Sequence, residues 1–262
     1  MTSREIDLGE VGRLVDRVAV EVVLPHFRDL APEEVHLKGP GDYVTDHDLE
    51  AERVITAALA EIAPGVPVVG EEAVAADEGV LRALHEPLVF VVDPIDGTRA
   101  FVEGTEEFSV MVALVERGEP VAAWVALPAV GERVWGVRGE GLFLDKDGRS
   151  ERIGPRPRHE GVLRVGLAAR TPAAPGPGLE VSRVLGAGDV YRDLVVGELD
   201  AVVFHRTRPW DHAPGAVFLR ELGGVLERWD GTPYRADDER DTLLGAASTE
   251  LAARVRAELG LA

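Results

Sequence analysis

Two aspartates stand three residues apart at the end of an apolar stretch. Residues 88–92 are all apolar, three of the five are valine, and the run ends abruptly at Asp93. A run of this kind, bounded by turn residues, predicts a strand that is buried on both faces. Pro94 cannot continue a central strand and Asp96 with Gly97 favours a turn, so both carboxylates would lie on one short corner. Such a corner suits a hard cation, although the same residues also suit an ordinary turn.

Three further acids occupy comparable positions elsewhere in the chain. Asp48 falls in the first turn of a predicted helix, Glu71 follows a predicted strand, and Asp211 precedes a predicted helix. Taken one at a time, these acids suit helix capping or solvated loops. Together with the two aspartates of the corner they supply enough oxygen ligands for two or three hard divalent ions, and Mg²⁺ prefers such ligands.

The order of residues in the corner indicates how such ions would be used. Two ions bridged by one carboxylate, about 3.5–4 Å apart, can activate a water molecule and stabilise a departing alkoxide. Asp93 is the natural bridge because it leads the corner, and the Ile95 carbonyl lies in the same tight turn. The Thr98 hydroxyl could hold a metal-bound water whose proton Asp48 would take. The backbone N–H groups of Gly97 and Thr98 would bind an anion.

Composition and charge narrow the classes of function. The 262 residues include 28 lysines and arginines against 47 aspartates and glutamates, a formal net charge of −19. This charge argues against binding nucleic acid or an anionic membrane, since both need excess positive charge. The absence of cysteine excludes disulfides, thiolate zinc sites and cysteine nucleophiles. The chain shows neither an apolar signal segment nor a membrane-length apolar run, so we expect a cytoplasmic protein.

Periodicity and turn signals predict the elements that precede the corner. Apolar residues at helical spacing predict a helix over residues 4–30 that is kinked or ended near Pro25. Residues 33–38 are predicted to be a short connector. A helix is predicted over residues 47–62, with Asp46 as its N-cap.

The part of the chain after the corner predicts a loop, a meander and a second α/β region. The loop covers residues 99–108. An antiparallel meander that completes a first sheet is predicted from strands over residues 110–115, 121–127, 133–137 and 141–144. Residues 154–158, rich in proline and glycine, are the best candidate for a linker. We therefore predict two closely packed halves, residues 1–153 with most of the acidic positions and residues 154–262 with Asp211 and the substrate side.

Strands and helices of the second half follow from the same rules. Strands are predicted over residues 162–168, 201–205, 225–229 and 242–247. Helices are predicted over residues 190–197, 217–222 and 250–259, the second of them stopped by Gly223 and Gly224.

Four strings of residues together resemble the motifs of the inositol monophosphatase family. They are DYVTDHD at residues 42–48, GEE at 70–72, DPIDGT at 93–98 and WDHAPG at 210–215. They occur in the family's order, at similar separations, over nearly the full chain, and the last two are each specific. The resemblance implies an α/β fold of the five-layered α-β-α-β-α type. It also implies Mg²⁺-dependent, lithium-sensitive hydrolysis of a small phosphorylated metabolite, by a homodimer and without a covalent intermediate.

The resemblance also implies a role for each acidic position. The metal ligands would be Glu71, Asp93, the Ile95 carbonyl, Asp96 and Asp211. Asp48 and Thr98 match the pair that activates the attacking water, and Glu71 is counted with them as catalytic. The substrate contacts would be Asp96, Gly97, Thr98 and Asp211. Lys38 corresponds loosely to a basic residue near the site.

Two departures from the family pattern lie on the substrate side. Phe204 stands about where animal inositol monophosphatases have a glutamate that touches the inositol ring. Residues 170–184 are short and proline-rich where relatives carry a longer helix. Arg206 and Arg208 flank the predicted mouth, where they either steer an anionic substrate or are ordinary surface charges. Inositol 1-phosphate is the first candidate substrate, while fructose 1,6-bisphosphate, NADP, histidinol phosphate and adenosine 3′,5′-bisphosphate stay open.

Other classes of protein fit the residues less well. In a haloacid-dehalogenase-type phosphatase the second acid follows the nucleophilic aspartate by two residues. Here the residue two positions before Asp96 is Pro94, so that spacing is absent from the corner. An EF-hand would need an oxygen ligand where Ile95 stands. His205 and His212 lack the spaced partners of a zinc site. A catalytically silent metal-binding scaffold of the same fold is the alternative from a different class, and Mg²⁺-dependent phosphate release separates the two.

Overall fold

The computed structural model describes residues 2–39, 41–155, 161–168, 175–238 and 240–261. In chain order the strands of these residues are β1 (Val35–Gly39), β2 (Asp42–Thr45), β3 (Val68–Gly70), β4 (Leu88–Asp96), β5 (Ser109–Glu116), β6 (Glu119–Leu127), β7 (Glu132–Val137), β8 (Gly141–Lys146), β9 (Arg149–Ile153), β10 (Leu163–Leu167), β11 (Leu179–Arg183), β12 (Ala201–Phe204), β13 (Val225–Glu227) and β14 (Leu243–Ala246). The α-helices are α1 (Leu8–Arg17), α2 (Asp46–Ile62), α3 (Glu71–Ala76), α4 (Thr98–Glu103), α5 (Ala187–Val196), α6 (Pro209–Leu222) and α7 (Thr249–Leu259).

The sheets and helices alternate in five layers, which confirms the predicted α-β-α-β-α sandwich. One sheet has the order β3-β4-β5-β6-β7-β8-β9 and the other the order β11-β10-β12-β14-β13. One apolar cluster joins α1 and α2 to the first sheet, a second fills the space between the sheets around α5 and α6, and a third lies under α7. Alternate residues of β4 enter the first two clusters, since Phe90 faces one and Val91 faces the other.

Strand β4 is the buried strand that the sequence predicts, but it runs further than expected. It pairs in parallel with β3 and antiparallel with β5, and every one of its residues is buried. The prediction that it ends at Asp93 is wrong, because the strand continues to Asp96. Its ladder with β5 is irregular between those two residues. A bulge at this point accommodates Pro94, which has no N–H to donate.

Two segments that the sequence predicts to be a connector and a loop contain regular secondary structure. The supposed connector at residues 33–38 contains most of β1, which pairs antiparallel with β2. The supposed loop at residues 99–108 begins with α4, because Ala100 and Phe101 turn inward and are buried. Both elements are short, so local periodicity does not reveal them.

The first two predicted helices differ from prediction in detail. The predicted helix over residues 4–30 is divided, since a π-helical segment, Val18–Val23, follows α1 and a short 3₁₀ turn contains Pro25. The N-cap of α2 is Thr45 and not Asp46. Thr45 and Asp48 exchange hydrogen bonds between side chain and backbone, a capping box that places Asp48 in the first turn.

The second half contains the predicted strands and helices, but its helices begin earlier in the chain than predicted. Helix α6 begins at Pro209, so Asp211 lies inside the helix and not before it. The meander gains β9, and β11 was not predicted. Part of the proposed linker, residues 156–158, and part of the proline-rich segment, residues 170–174, lie outside the described residues. The division into two halves stays a prediction.

Across the described ranges, no helix has the length and apolar character needed to cross a membrane.

Candidate active site

A cavity of about 690 Å³ lies where β3 and β4 end, next to the first turn of α6. Seven of the eight sequence-predicted site residues line it: Glu71, Asp93, Ile95, Asp96, Gly97, Thr98 and Asp211. The exception is Asp48, which is buried and contacts Thr98. Positions from distant parts of the chain therefore meet at one edge of the first sheet.

Asp93 lies deepest among the acids of the cavity. Its side chain is buried, and within the described residues its Oδ1 has no hydrogen-bond partner. Burial, together with the charges of Glu71, Asp96 and Asp211, raises the pKa of Asp93 well above its usual range. A buried carboxylate oxygen without a partner is costly, and a bound cation would remove that cost.

Asp96 joins the corner to the second half of the chain. Its two oxygens accept hydrogen bonds from the backbone N–H groups of Ala187, at 3.0 Å, and Gly188, at 2.7 Å, at the start of α5. Burial raises the pKa of Asp96, and these two bonds act in the opposite direction. A Cβ on Gly188 would lie 2.0 Å from the Ser109 hydroxyl, so a glycine is needed for this approach.

Thr98 and Asp48 form the pair that the sequence predicts for activating water. The Thr98 hydroxyl lies 3.1 Å from Asp48 Oδ1 and 2.9 Å from the Ile95 carbonyl oxygen. The other oxygen of Asp48 accepts hydrogen bonds from the N–H and hydroxyl of Thr45. Burial raises the pKa of Asp48 to about 6 in spite of these bonds. Gly97 takes the left-handed φ of 77° that turns the chain from β4 into α4.

A lysine bridges the acids that follow β3. Lys38 Nζ donates to Glu71 Oε1 and Glu72 Oε1, at 2.7 Å each, so the loosely matched lysine lies directly beside a predicted ligand. Burial disfavours its charge, but the two carboxylates outweigh burial and raise the pKa of Lys38. Burial raises the pKa of Glu72 to about 7.

Glu52 is a positioning residue that the sequence analysis missed. Its carboxylate accepts the N–H groups of Glu72 and Ala73 at 2.8 Å each, at the start of α3. It thereby fixes the helix that carries Glu71. A Cβ on Gly70 would lie 2.3 Å from this carboxyl carbon, so the glycine is required. The available signal was spacing, because Glu52 follows Asp48 by four residues on the same face of α2.

Asp211 lies in the first turn of α6, next to the buried Trp210 in the chain, and both residues line the cavity. Burial, then Asp96 and Glu71, raises the pKa of Asp211 well above its usual range, while Arg208 acts to lower it. Arg206 and Arg208 both line the cavity, at the position where the sequence places its mouth.

The neighbouring histidine and phenylalanine are core residues and not ligands. His212 is buried, its Nε2 donates to the Arg206 carbonyl at 3.2 Å, and its Nδ1 lies 3.0 Å from the Tyr191 hydroxyl. Burial lowers the pKa of His212 to about 3, so the ring is neutral. Phe204 is buried against Tyr191 and His212 and is absent from the cavity wall. His205 lies near Trp229 instead.

The cavity fits a cation by charge more clearly than by side-chain placement. Across the described residues, no three histidine, cysteine or acidic side chains are arranged closely enough to hold a metal ion. Six carboxylates nevertheless line the cavity, and Asp93, Asp96 and Asp211 among them have raised pKa values, to which the neighbouring acids contribute. The unpartnered oxygen of Asp93 lies among them. Oxygen donors of this kind suit Mg²⁺.

Comparison with known proteins gives the same family along almost the whole chain. A model of the inositol monophosphatase family matches residues 10–260. The inositol-1-monophosphatase of Mesorhizobium japonicum is 33% identical over 216 residues, which cover 78% of this chain and 79% of that protein. A fructose-1,6-bisphosphatase/inositol-1-monophosphatase of Aquifex aeolicus is 28% identical over 240 residues, which cover 87% of this chain and 88% of that protein.

The fold agrees with solved structures of the same kind. An IMPase of Thermotoga maritima matches with a TM-score of 0.77 at 24% identity, covering 97% of each chain. The family model and the curated relatives place the chain in a class of phosphatases that is generally metal-dependent. The chain belongs to the inositol monophosphatase family and is a phosphatase of that superfamily.

Proposed function

We propose that this protein is a Mg²⁺-dependent phosphomonoesterase that hydrolyses a small polyol or sugar phosphate, with inositol 1-phosphate as the first substrate to test. The observation that supports this most is the unpartnered, buried oxygen of Asp93 in a cavity that holds five further carboxylates. A phosphatase with this wall needs cations before an anionic substrate can enter.

The ions would be held by Glu71, Asp93, the Ile95 carbonyl, Asp96 and Asp211. Asp93 is the candidate for a ligand shared between ions, because it is buried and the charges of Glu71, Asp96, Asp211 and Asp48 all act on it. When bound, Mg²⁺ supplies the positive charge that lowers the pKa of water and stabilises the departing alkoxide.

The remaining residues bind the phosphate and move one proton. A water beside Thr98 would donate to its hydroxyl oxygen, and that hydroxyl would donate to Asp48 Oδ1, 3.1 Å away. Asp48, with its pKa raised to about 6, is ionised at neutral pH and still basic enough to accept the proton. The N–H groups of Gly97 and Thr98 would bind a phosphate oxygen, next to the acids Asp96 and Asp211.

The identity of the alcohol is the least constrained part of the proposal. The family contact at the Phe204 position is lost, since that side chain is buried away from the cavity. A relative named for two activities, fructose-1,6-bisphosphatase and inositol-1-monophosphatase, supports keeping bisphosphates open. NADP, histidinol phosphate and adenosine 3′,5′-bisphosphate remain further candidates.

The test is phosphate release from a panel of these phosphate esters, with Mg²⁺, with EDTA and with added Li⁺. We expect release that requires Mg²⁺ and falls with Li⁺. Release that persists in EDTA would contradict the metal role. Tight Mg²⁺ binding with no turnover of any ester would instead favour the non-catalytic scaffold.

We also propose that the protein is a homodimer, as the family resemblance implies, and that it acts in the cytoplasm. Light scattering of the purified protein would give a mass twice the 28.2 kDa of the chain. A mass equal to that of one chain would contradict the dimer without affecting the chemistry.

A further inference from the structure

A second cavity, of about 570 Å³, adjoins the acidic one. The two share Glu78, Arg206 and Arg208 in their walls. The remaining wall comes from the 3₁₀ helix Glu78–His85 and from the chain between β13 and β14. A ligand anchored in the acidic cavity can therefore extend past the two arginines into this second space.

The second cavity is lined by arginine side chains that form no direct ion pair with the described residues, although the charge of Arg208 also acts on Asp211. Arg82, Arg206 and Arg208 line it, and within the described residues none of their guanidinium groups has a hydrogen-bond or ion-pair partner. This contrasts with Arg240 in the neighbouring segment, which pairs with Asp238 at 2.7 Å. All three arginines are exposed, so a ligand that enters the cavity can reach their guanidinium groups.

The acids of the same wall do not cancel this charge. Asp238 is paired with Arg228 and Arg240. Asp241 accepts a hydrogen bond from the backbone N–H of Thr207 at 3.2 Å. Among the described lining residues, only the exposed Glu78 keeps a carboxylate with no partner. The backbone N–H does not neutralise Asp241, so among the described lining residues three arginines without an ion-pair partner face two carboxylates without one, Glu78 and Asp241.

We infer that this second cavity binds a second phosphate group of the substrate, so that small bisphosphorylated metabolites are preferred over matched monophosphates. The inference rests on the proposed function and narrows its substrate class. Guanidinium groups bind phosphate oxygens through paired, charge-assisted hydrogen bonds, which matches three free arginines better than a neutral sugar would. One phosphate lies in the acidic cavity and is cleaved, while the other stays intact on Arg82, Arg206 and Arg208.

The test compares matched substrate pairs on the full-length enzyme with Mg²⁺. The pairs are fructose 1,6-bisphosphate with fructose 1-phosphate, inositol 1,4-bisphosphate with inositol 1-phosphate, and adenosine 3′,5′-bisphosphate with adenosine 3′-phosphate. In at least one pair we expect kcat/KM to be about tenfold higher for the bisphosphate, mainly through a lower KM.

Arg82→Ala isolates the second cavity, since Arg82 lines it and is not in the wall of the acidic one. We expect this variant to lose most of the preference by raising KM for the bisphosphate, with a much smaller effect on the monophosphate. Arg82→Lys should recover part of the preference because it keeps the charge. The matched control is Arg149→Ala, which removes an exposed arginine from β9, at the opposite edge of the sheet from β3.

Two results would overturn the inference while leaving the proposed function intact. One is the lack of any bisphosphate preference in an enzyme that hydrolyses monophosphates with Mg²⁺. The other is an Arg82→Ala variant that changes both members of a pair equally. If the wild-type enzyme releases phosphate from none of the compounds, the proposed function fails and the inference fails with it.

Discussion

At the scale of single residues, the cavity concentrates negative charge that the protein alone does not balance. Asp93 is buried among three other acids, with one oxygen unpartnered among the described residues. Lys38 sets one positive charge against the two carboxylates of Glu71 and Glu72, and within the described residues it donates a hydrogen bond to none of the aspartates. Under the proposed function bound cations would supply compensating charge, and the rate should then depend on each acid that holds them.

Asp93→Asn should lower kcat by several orders of magnitude, because it removes the carboxylate that would bridge the ions. Steady-state phosphate release under saturating Mg²⁺ measures this. The control is Asp200→Asn, a buried aspartate outside the cavity that accepts the N–H of Arg164 at 2.9 Å. An Asp93→Asn enzyme with the wild-type rate would refute the bridging role.

Thr98→Ala should reduce the rate more than it weakens metal binding, since the hydroxyl contacts Asp48 and the Ile95 carbonyl but carries no charge. Thr98→Ser keeps the hydroxyl and should retain most of the rate. Kinetics combined with calorimetric titration of Mg²⁺ separates the two effects. Equal losses in rate and in Mg²⁺ affinity would show that the hydroxyl acts through the metal site alone.

Residues close in sequence were the easiest part of the site to predict. The corner at residues 93–98 is fixed by a strand, a proline and a glycine that lie side by side in the chain. Glu52 and Arg82 were missed, because their roles depend on which distant backbone or cavity the fold brings to them. The raised pKa of Asp48 depends on burial and is equally invisible in local sequence.

At the scale of elements, the contact between α5 and α6 controls where Asp211 lies. The ring of Tyr191 on α5 packs so closely on α6 that a Cβ at Gly215 would lie 2.0 Å from it. Gly215→Ala should therefore lower the free energy of unfolding by about 1–3 kcal/mol, since overpacking exceeds the gain in helix propensity.

Urea unfolding measures this effect. Gly154→Ala is the control, because a Cβ at Gly154 would have nothing within 4 Å. If Gly215→Ala is as stable as the wild type, Tyr191 moves freely and does not fix α6.

Near the start of α5, Asp189 is an acid whose charged form is unfavourable in the folded protein. Burial, then Asp96, raises the pKa of Asp189 from 3.8 to about 8, and one of its oxygens has no partner among the described residues. In the unfolded chain this carboxyl ionises near its ordinary pKa, so the folded state loses relative stability as the pH rises from about 4 to 8. The loss is complete above pH 8 and absent below about pH 4.

Asp189→Asn should therefore raise the melting temperature by several degrees at pH 9 and leave it nearly unchanged at pH 4. Thermal denaturation at the two pH values measures the difference. Asp29→Asn, at an exposed position, is the control and should change neither value. If the variant and the wild type have the same melting temperature at pH 9, burial of the Asp189 charge does not destabilise the fold.

Long, regular elements could be predicted from sequence and short ones could not. The meander from β5 to β8 has several apolar positions in each strand, and the structure confirms it. Strand β11 is largely exposed and takes part in the sheet only through its pairing with β10. Its formation depends on parallel pairing with the preceding strand, which local patterning does not reveal.

At the scale of the whole molecule, the sandwich brings acids from both parts of the chain to one place. The cation that would hold them together should also stabilise the fold. Because the pKa values of Asp93, Asp96 and Asp211 are raised in the folded state, their ionisation destabilises it as the pH rises.

Mg²⁺ should therefore raise the melting temperature relative to EDTA, and by more at pH 8 than at pH 5, where protons compete for the same oxygens. Scanning calorimetry measures this, with NaCl at equal ionic strength as the control for screening of the net charge of −19. A shift that NaCl reproduces would mean general screening and not a specific site.

The most direct measurement of the central claim is anomalous diffraction from crystals grown with Mn²⁺ as a stand-in for Mg²⁺. We predict at least one strong peak within about 2.5 Å of an Asp93 carboxylate oxygen, with Glu71, Asp96 or Asp211 completing the ligands. Crystals with these side chains well ordered and no peak among them would contradict the account.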